Sequence, residues 1–142
     1  MSKTKIGLSV LLIVVLALIG IYYANVLKTE SLAKDILSDV NFDKVQAKFV
    51  YHNQTDKQHD FDKNDSKKII EIFKKVELKG VAKKPKIKND YVVYVGGSGG
   101  SFQFDVSVDG FVYLDKKTDK YYKVADKELR DELLNIIKKQ YP

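Results

Sequence analysis

The sequence predicts an α+β fold: an N-terminal transmembrane helix and stalk, then a ββ-α-ββββ-α domain with an antiparallel sheet. Three observations predict it. Residues 6–27 are 22 consecutive positions without a charge, 14 of them Ile, Leu or Val. Beyond them, several short runs alternate apolar and polar side chains at the two-residue period of a strand. Two further runs repeat apolar residues at helical spacing, each behind an Asp that can cap a helix.

At about 1.5 Å per residue the apolar run reaches roughly 33 Å, enough for a hydrocarbon core of about 30 Å. Tyr22 and Tyr23 lie near its far end, where amphipathic rings favour the interface. A cleaved signal peptide is the competing reading. It calls for a shorter apolar region followed by small residues, and Tyr22 stands three positions before the only small candidate, Ala24. With no Cys, a lipid-modified signal, a disulfide framework and a thiolate metal site are all excluded. All 19 acidic residues and 23 of the 25 basic ones follow the apolar run. Lys3 and Lys5 flank it on one side, Lys28 and Lys34 on the other, so nearby positive charge is almost balanced. A short amino-terminal tail inside and the long domain outside the cytoplasm is the expected orientation, with secretion after cleavage as the alternative. The expected organisation is a tail and signal anchor over residues 1–27, a juxtamembrane helix or stalk over 28–41, and an extracytoplasmic domain over 42–142.

The elements follow in order. Leu32, Ile36, Leu37 and Val40 have helical spacing behind Ser31, a candidate N-cap. Val45, Ala47, Phe49 and Tyr51 alternate with Gln46 and Lys48, predicting a half-buried strand with those four on its core face. A polar turn returns the chain through a short strand ending at Phe61. Asp62, Asn64 and Asp65 offer caps for a helix whose Ile69, Ile70, Phe73 and Val76 form one stripe. A lysine-rich connection over residues 79–88 carries Pro85. Residues 91–95 are a β-prone run, and a glycine-rich break separates them from Phe102, Phe104, Val106 and Val108. Asp109-Gly110 is a hairpin signal. Strands over 111–114 and 121–124 complete a meander, and Asp126 caps a last helix bearing Leu129, Leu133, Ile136 and Ile137.

The run from Val45 to Ile137 resembles small extracytoplasmic domains of low-GC Gram-positive bacteria, membrane-anchored or lipoprotein. The resemblance rests on the strand hairpin, the lysine-rich helix, the Asp109-Gly110-Phe111 turn and the Lys120-Tyr121-Tyr122-Lys123 step before the last helix. It implies a cell-envelope protein and transfers no catalytic residue.

Candidate chemistry is sparse. His52 and His59 both lie in the first hairpin. A register that faces them across the strands would let them hold a divalent metal together with Asp60. Core burial favours the neighbouring register, which sets Tyr51 against Phe61 and His52 against Asp60, leaving the histidines to solvent. The carboxylates Asp56, Asp60, Asp62 and Asp65 lack the ordered spacing of a calcium loop. The glycines of residues 96–100 precede a strand instead of a Lys-Ser/Thr helix start, which makes them a flexible hairpin tip and not a phosphate loop. No nucleophile elbow or Cys–His pair is present, so no enzyme activity and no cofactor is expected. Residues 74–88 hold seven lysines, Lys74, Lys75, Lys79, Lys83, Lys84, Lys86 and Lys88, against one acid, Glu77. Such a segment suits anionic lipid or wall polymer. The absence of Arg and of an interleaved aromatic platform argues against nucleic acid. Among the strand aromatics, alternation leaves at most half to the outer face. The expectation is a non-catalytic, membrane-anchored binding domain whose partner is a membrane or envelope protein, or an envelope polyanion.

Overall fold

Helix α1 (Lys3–Val26) is opened by Ser2, whose side chain accepts from the Lys5 N–H, and none of its residues is buried. Its 24 residues are long and apolar enough to cross a membrane, and its place near the amino terminus is equally that of a signal sequence. The computed structural model describes residues 2–85 and 90–142, so Lys86 and Lys88 of the lysine segment lie outside the described residues.

Beyond α1 the chain builds one eight-stranded antiparallel sheet with helices, as the alternating runs predict. Its strands are β1 (Thr29–Ser31), β2 (Gln46–His52), β3 (Lys57–Asp60), β4 (Glu77–Gly80), β5 (Tyr91–Gly97), β6 (Gly100–Val106), β7 (Phe111–Tyr113) and β8 (Tyr121–Val124). They lie side by side in the order β1-β4-β8-β7-β6-β5-β2-β3. Helix α2 (Lys63–Lys75) carries the chain from the β3 edge across to β4, and α3 (Lys127–Lys138) follows β8. Asp62 caps α2 through the Asp65 N–H at 2.7 Å, and Asp126 caps α3 through the Leu129 N–H at 3.0 Å. The α2 stripe Ile69, Ile70, Phe73 and Val76 is buried, as are Leu133, Ile136 and Ile137 of α3. Phe73 of α2 meets Phe104 at 4.7 Å and Phe102 at 5.7 Å between ring centres, and Leu133, Ile136 and Ile137 of α3 join the same core cluster as Val93, Val95, Val112 and Tyr122.

Four local expectations are corrected. Residues 28–41 form no continuous helical stalk; only Leu32–Ile36 make a helical turn, capped as expected by Ser31, whose side chain accepts from the Lys34 N–H at 3.2 Å. The segment supplies β1, this one wide turn, closed by Leu37 N–H on the Leu32 carbonyl at 2.8 Å, and buried Leu32, Leu37 and Val40. The helical spacing there recorded burial in the domain core, which a three-turn helix and a folded-in segment satisfy alike. The β1–β4 pair carries no alternating apolar pattern, because Thr29-Glu30-Ser31 has no apolar residue and Glu77–Gly80 has only Leu78. In β2, a bulge between Ala47 and Phe49 exchanges the faces, so Val50 is buried at the core while Phe49 and Tyr51 turn to the other side. The first hairpin then pairs Val50 with His59 and His52 with Lys57, neither of the two registers weighed from burial. Finally, β6 stops at Val106, and Val108 lies exposed in a four-residue turn closed by Gly110 N–H on the Ser107 carbonyl at 3.0 Å.

Candidate functional site

A recess lies where the bulge leaves the edge of β2 uncovered. Strand β3 pairs with β2 only from Phe49 onward, and the last bond on that side runs from Phe61 N–H to the Lys48 carbonyl at 3.1 Å. Gln46 and Ala47 are paired to β5 alone. Beside this edge runs α2, and between them lies a groove of about 590 Å³ with Phe42, Val45, Ala47, Phe61 and Ile70 in its lining. Its charged rim is mixed but not evenly committed. The Lys74 ammonium bonds Asp43 at 2.9 Å and Glu71 at 3.3 Å. That hydrogen bond and its charge hold the Asp43 carboxyl below its usual range and raise the Lys74 ammonium in turn. Asp62 is bound to the start of α2 as its cap. Lys63 and Lys67, one helical turn apart on α2, enter no ion pair among the described residues. The groove's available charge is therefore positive.

The sheet face away from the helices is the second feature. Phe49 stacks on Tyr94 with ring centres 4.5 Å apart, and Tyr113 on Tyr121 at 4.9 Å. The Lys123 ammonium lies 5.3 Å from the Phe111 ring and the Lys84 ammonium 5.7 Å from that of Tyr121. Of the strand aromatics from Tyr91 to Tyr122, Tyr91, Phe102, Phe104 and Tyr122 are buried, and Tyr94, Phe111, Tyr113 and Tyr121 are half-buried on this face.

The third feature is the joint between α1 and the sheet. The Gly80 N–H donates to the Lys28 carbonyl at 3.1 Å, and a Cβ on Gly80 would collide with the Val26 carbonyl oxygen and lie 2.9 Å from its carbon. The Lys120 ammonium reaches the Asn25 carbonyl at 3.4 Å, serving one of the acceptors that a helix end leaves open. It also lies 3.6 Å from Glu30, which is 3.8 Å from Lys28 and accepts the Tyr122 hydroxyl at 3.3 Å.

The lysine segment is thus split. Lys74 is tied to two carboxylates, Lys75 closes the last turn of α2, and Lys79 lies on β4 between Thr29 and Lys123. Lys83 and Lys84 follow β4 on the side of Tyr121. The histidines are likewise drawn into packing. His52 stacks on Tyr91 at 4.7 Å, and the Tyr141 ring lies 5.1 Å from His52 and 4.6 Å from His59. Among the described residues no three His, Cys, Asp or Glu side chains are grouped to hold a metal, and Asp60 faces Phe49 across the hairpin instead of His52. Buried Asp65 accepts from Lys139 at 2.7 Å and Gln140 at 3.1 Å, fastening α2 to the end of α3.

The glycine hairpin is a packed seam and not a free tip. Asn41 N–H donates to the Gly99 carbonyl at 2.9 Å and Gly99 N–H to that of Lys44 at 3.1 Å. A Cβ on Gly99 would lie 2.9 Å from that of Lys44, so the close approach itself calls for glycine. No protein-family description, curated protein or solved structure matches this chain.

Proposed function

We propose that this protein is a single-pass membrane protein whose domain lies outside the cytoplasm and binds, without catalysis, an extended segment of a neighbouring membrane or envelope protein. The observation that carries the binding reading is the uncovered edge of β2 beside an apolar-floored groove. An extended peptide laid there continues the sheet where β3 leaves it, using backbone bonds for affinity and the groove for side-chain choice. The uncommitted Lys63 and Lys67 favour acidic residues in that segment. Support for anchoring comes from α1, none of whose residues is buried and which meets the domain at its last turn. A long domain crosses a membrane largely regardless of its charge, which supports the outside orientation. Holding both partners in one membrane raises their effective concentration, so a modest intrinsic affinity suffices.

A photo-crosslinking residue in place of Lys67, in the full chain in cells, tests this. One dominant membrane or envelope neighbour should be captured, and the capture should be lost in Lys63→Glu. Equal capture of the same neighbours from Lys138 on α3, or capture indifferent to Lys63→Glu, would remove the groove from the account.

A further inference from the structure

We infer that the corner of the domain beside the end of α1 is a second membrane contact, a docking surface for anionic phospholipid headgroups of the leaflet that receives the end of α1. The inference rests on α1 being a membrane span.

The joint sets the depth. With residues 6–27 filling about 33 Å of hydrocarbon, Leu27 ends at its boundary and Lys28 begins the headgroup layer. Gly80 is bonded to Lys28 and pressed on Val26, and Lys120 reaches back to Asn25. Strand β4 therefore ends, and β8 begins, at the level of the last helical turn, and Val81 N–H bonds the Tyr121 carbonyl at 3.0 Å just beyond. The residues brought to that level are Lys28, Lys84, Lys120 and the stacked rings of Tyr113 and Tyr121, with Lys84 lying over Tyr121 and Lys83 next to it in the chain. Flexible ammonium groups and half-buried tyrosine rings are the side chains that the bilayer interface favours, the rings at headgroup depth and the ammonium groups toward phosphate.

The opposing charge does not cancel this. Glu30 is engaged by Lys28, Lys120 and the Tyr122 hydroxyl. Asp115 and Asp119 share the β7–β8 turn with Lys116 and Lys117, and Lys117 pairs with Asp39 at 3.5 Å. Lys83 and Lys84 have no carboxylate partner among the described residues. Each such lysine held near an anionic leaflet strengthens attraction about fivefold. The lysines are thereby separated by place: Lys83 and Lys84 follow the end of β4 at the helix joint, whereas Lys74 and Lys75 belong to α2.

The chain has no Cys, so one introduced cysteine gives one label. The full chain, reconstituted in nanodiscs of phosphatidylcholine or of phosphatidylcholine mixed equally with phosphatidylglycerol, would carry a fluorophore at Ala82→Cys or, for comparison, at Glu128→Cys. Headgroup-level quenching of the Ala82 label should be several-fold stronger in the anionic discs and fall back in Lys83→Gln/Lys84→Gln and in high salt. Quenching at Ala82 no greater than at Glu128, in chains that stay with the discs, would overturn the docking surface and leave the anchor standing. Quenching unchanged in the double variant would overturn the role of the lysines. A label at Val14→Cys that bromine on the acyl chains fails to quench would overturn the anchor and this inference together.

Discussion

Gly80→Ala perturbs the joint between α1 and β4 on which the proposed membrane contact depends. The added methyl would lie 2.9 Å from the Val26 carbonyl carbon, against about 3.5–4.0 Å for an unstrained carbon contact, and nearer still to the oxygen. Both neighbours are backbone, so no side chain can rotate away, and the end of α1 must withdraw from β4 by about 1 Å or more. That withdrawal strains the Gly80–Lys28 hydrogen bond and the Lys120–Asn25 contact. Overpacking of this kind costs about 1–3 kcal/mol. For a domain of this size each 1 kcal/mol lowers the melting temperature by about 4–8 °C. The assay is a melting curve of the full chain in nanodiscs, with a distance distribution between spin labels at Asn25→Cys and Lys123→Cys. A lower melting temperature and a broadened distribution are expected, along with weaker lipid quenching at Ala82. An unchanged melting temperature and an equally narrow distribution would refute the reasoning that the helix end is fixed to the sheet.

Three other outcomes follow from the packing. Phe73→Ala removes a fully buried ring that meets Phe102 and Phe104, and a loss of about 3–5 kcal/mol should appear as a lower urea midpoint. Burial raises the hydroxyl pKa of Tyr122, and likewise those of Tyr91 and Tyr141. A raised folded pKa gives stability that is whole below the unfolded value near 10 and is lost as pH climbs through the folded value, so urea midpoints should hold up to about pH 10 and fall above it. Midpoints flat across that range would contradict the burial of these phenols. Zn²⁺ should leave the melting temperature unchanged, because His52 and His59 pack around Tyr141; a rise abolished by His59→Ala would restore the metal reading.

The fold was legible wherever one face of an element is buried and the other wet. The stripe of α2, the caps Asp62 and Asp126, and the strands from Tyr91 to Val124 all follow from period and cap chemistry. Legibility failed where the signal is degenerate. Phe49-Val50-Tyr51 is apolar throughout and satisfies either phase, so the bulge that turns Val50 inward leaves no mark except the slip from Ala47 to Val50. The groove was hidden for the same reason, since it exists only because that bulge and the short β3 leave Gln46 and Ala47 uncovered. The lysine segment was visible as charge, but its division between α2 and the helix joint depends on β4, a strand too short and too polar to announce itself. Glycines 97 and 99 read as freedom when their use is close backbone approach, which composition cannot distinguish.

The most direct test of the central claim is a protease digest of intact cells expressing the full chain with a tag after Pro142, followed by fractionation. The account predicts that the tag sediments with membranes and is removed by protease without lysis. A membrane-bound tag protected until the cells are broken would contradict the outside orientation, and a tag found only in the soluble fraction would contradict the anchor.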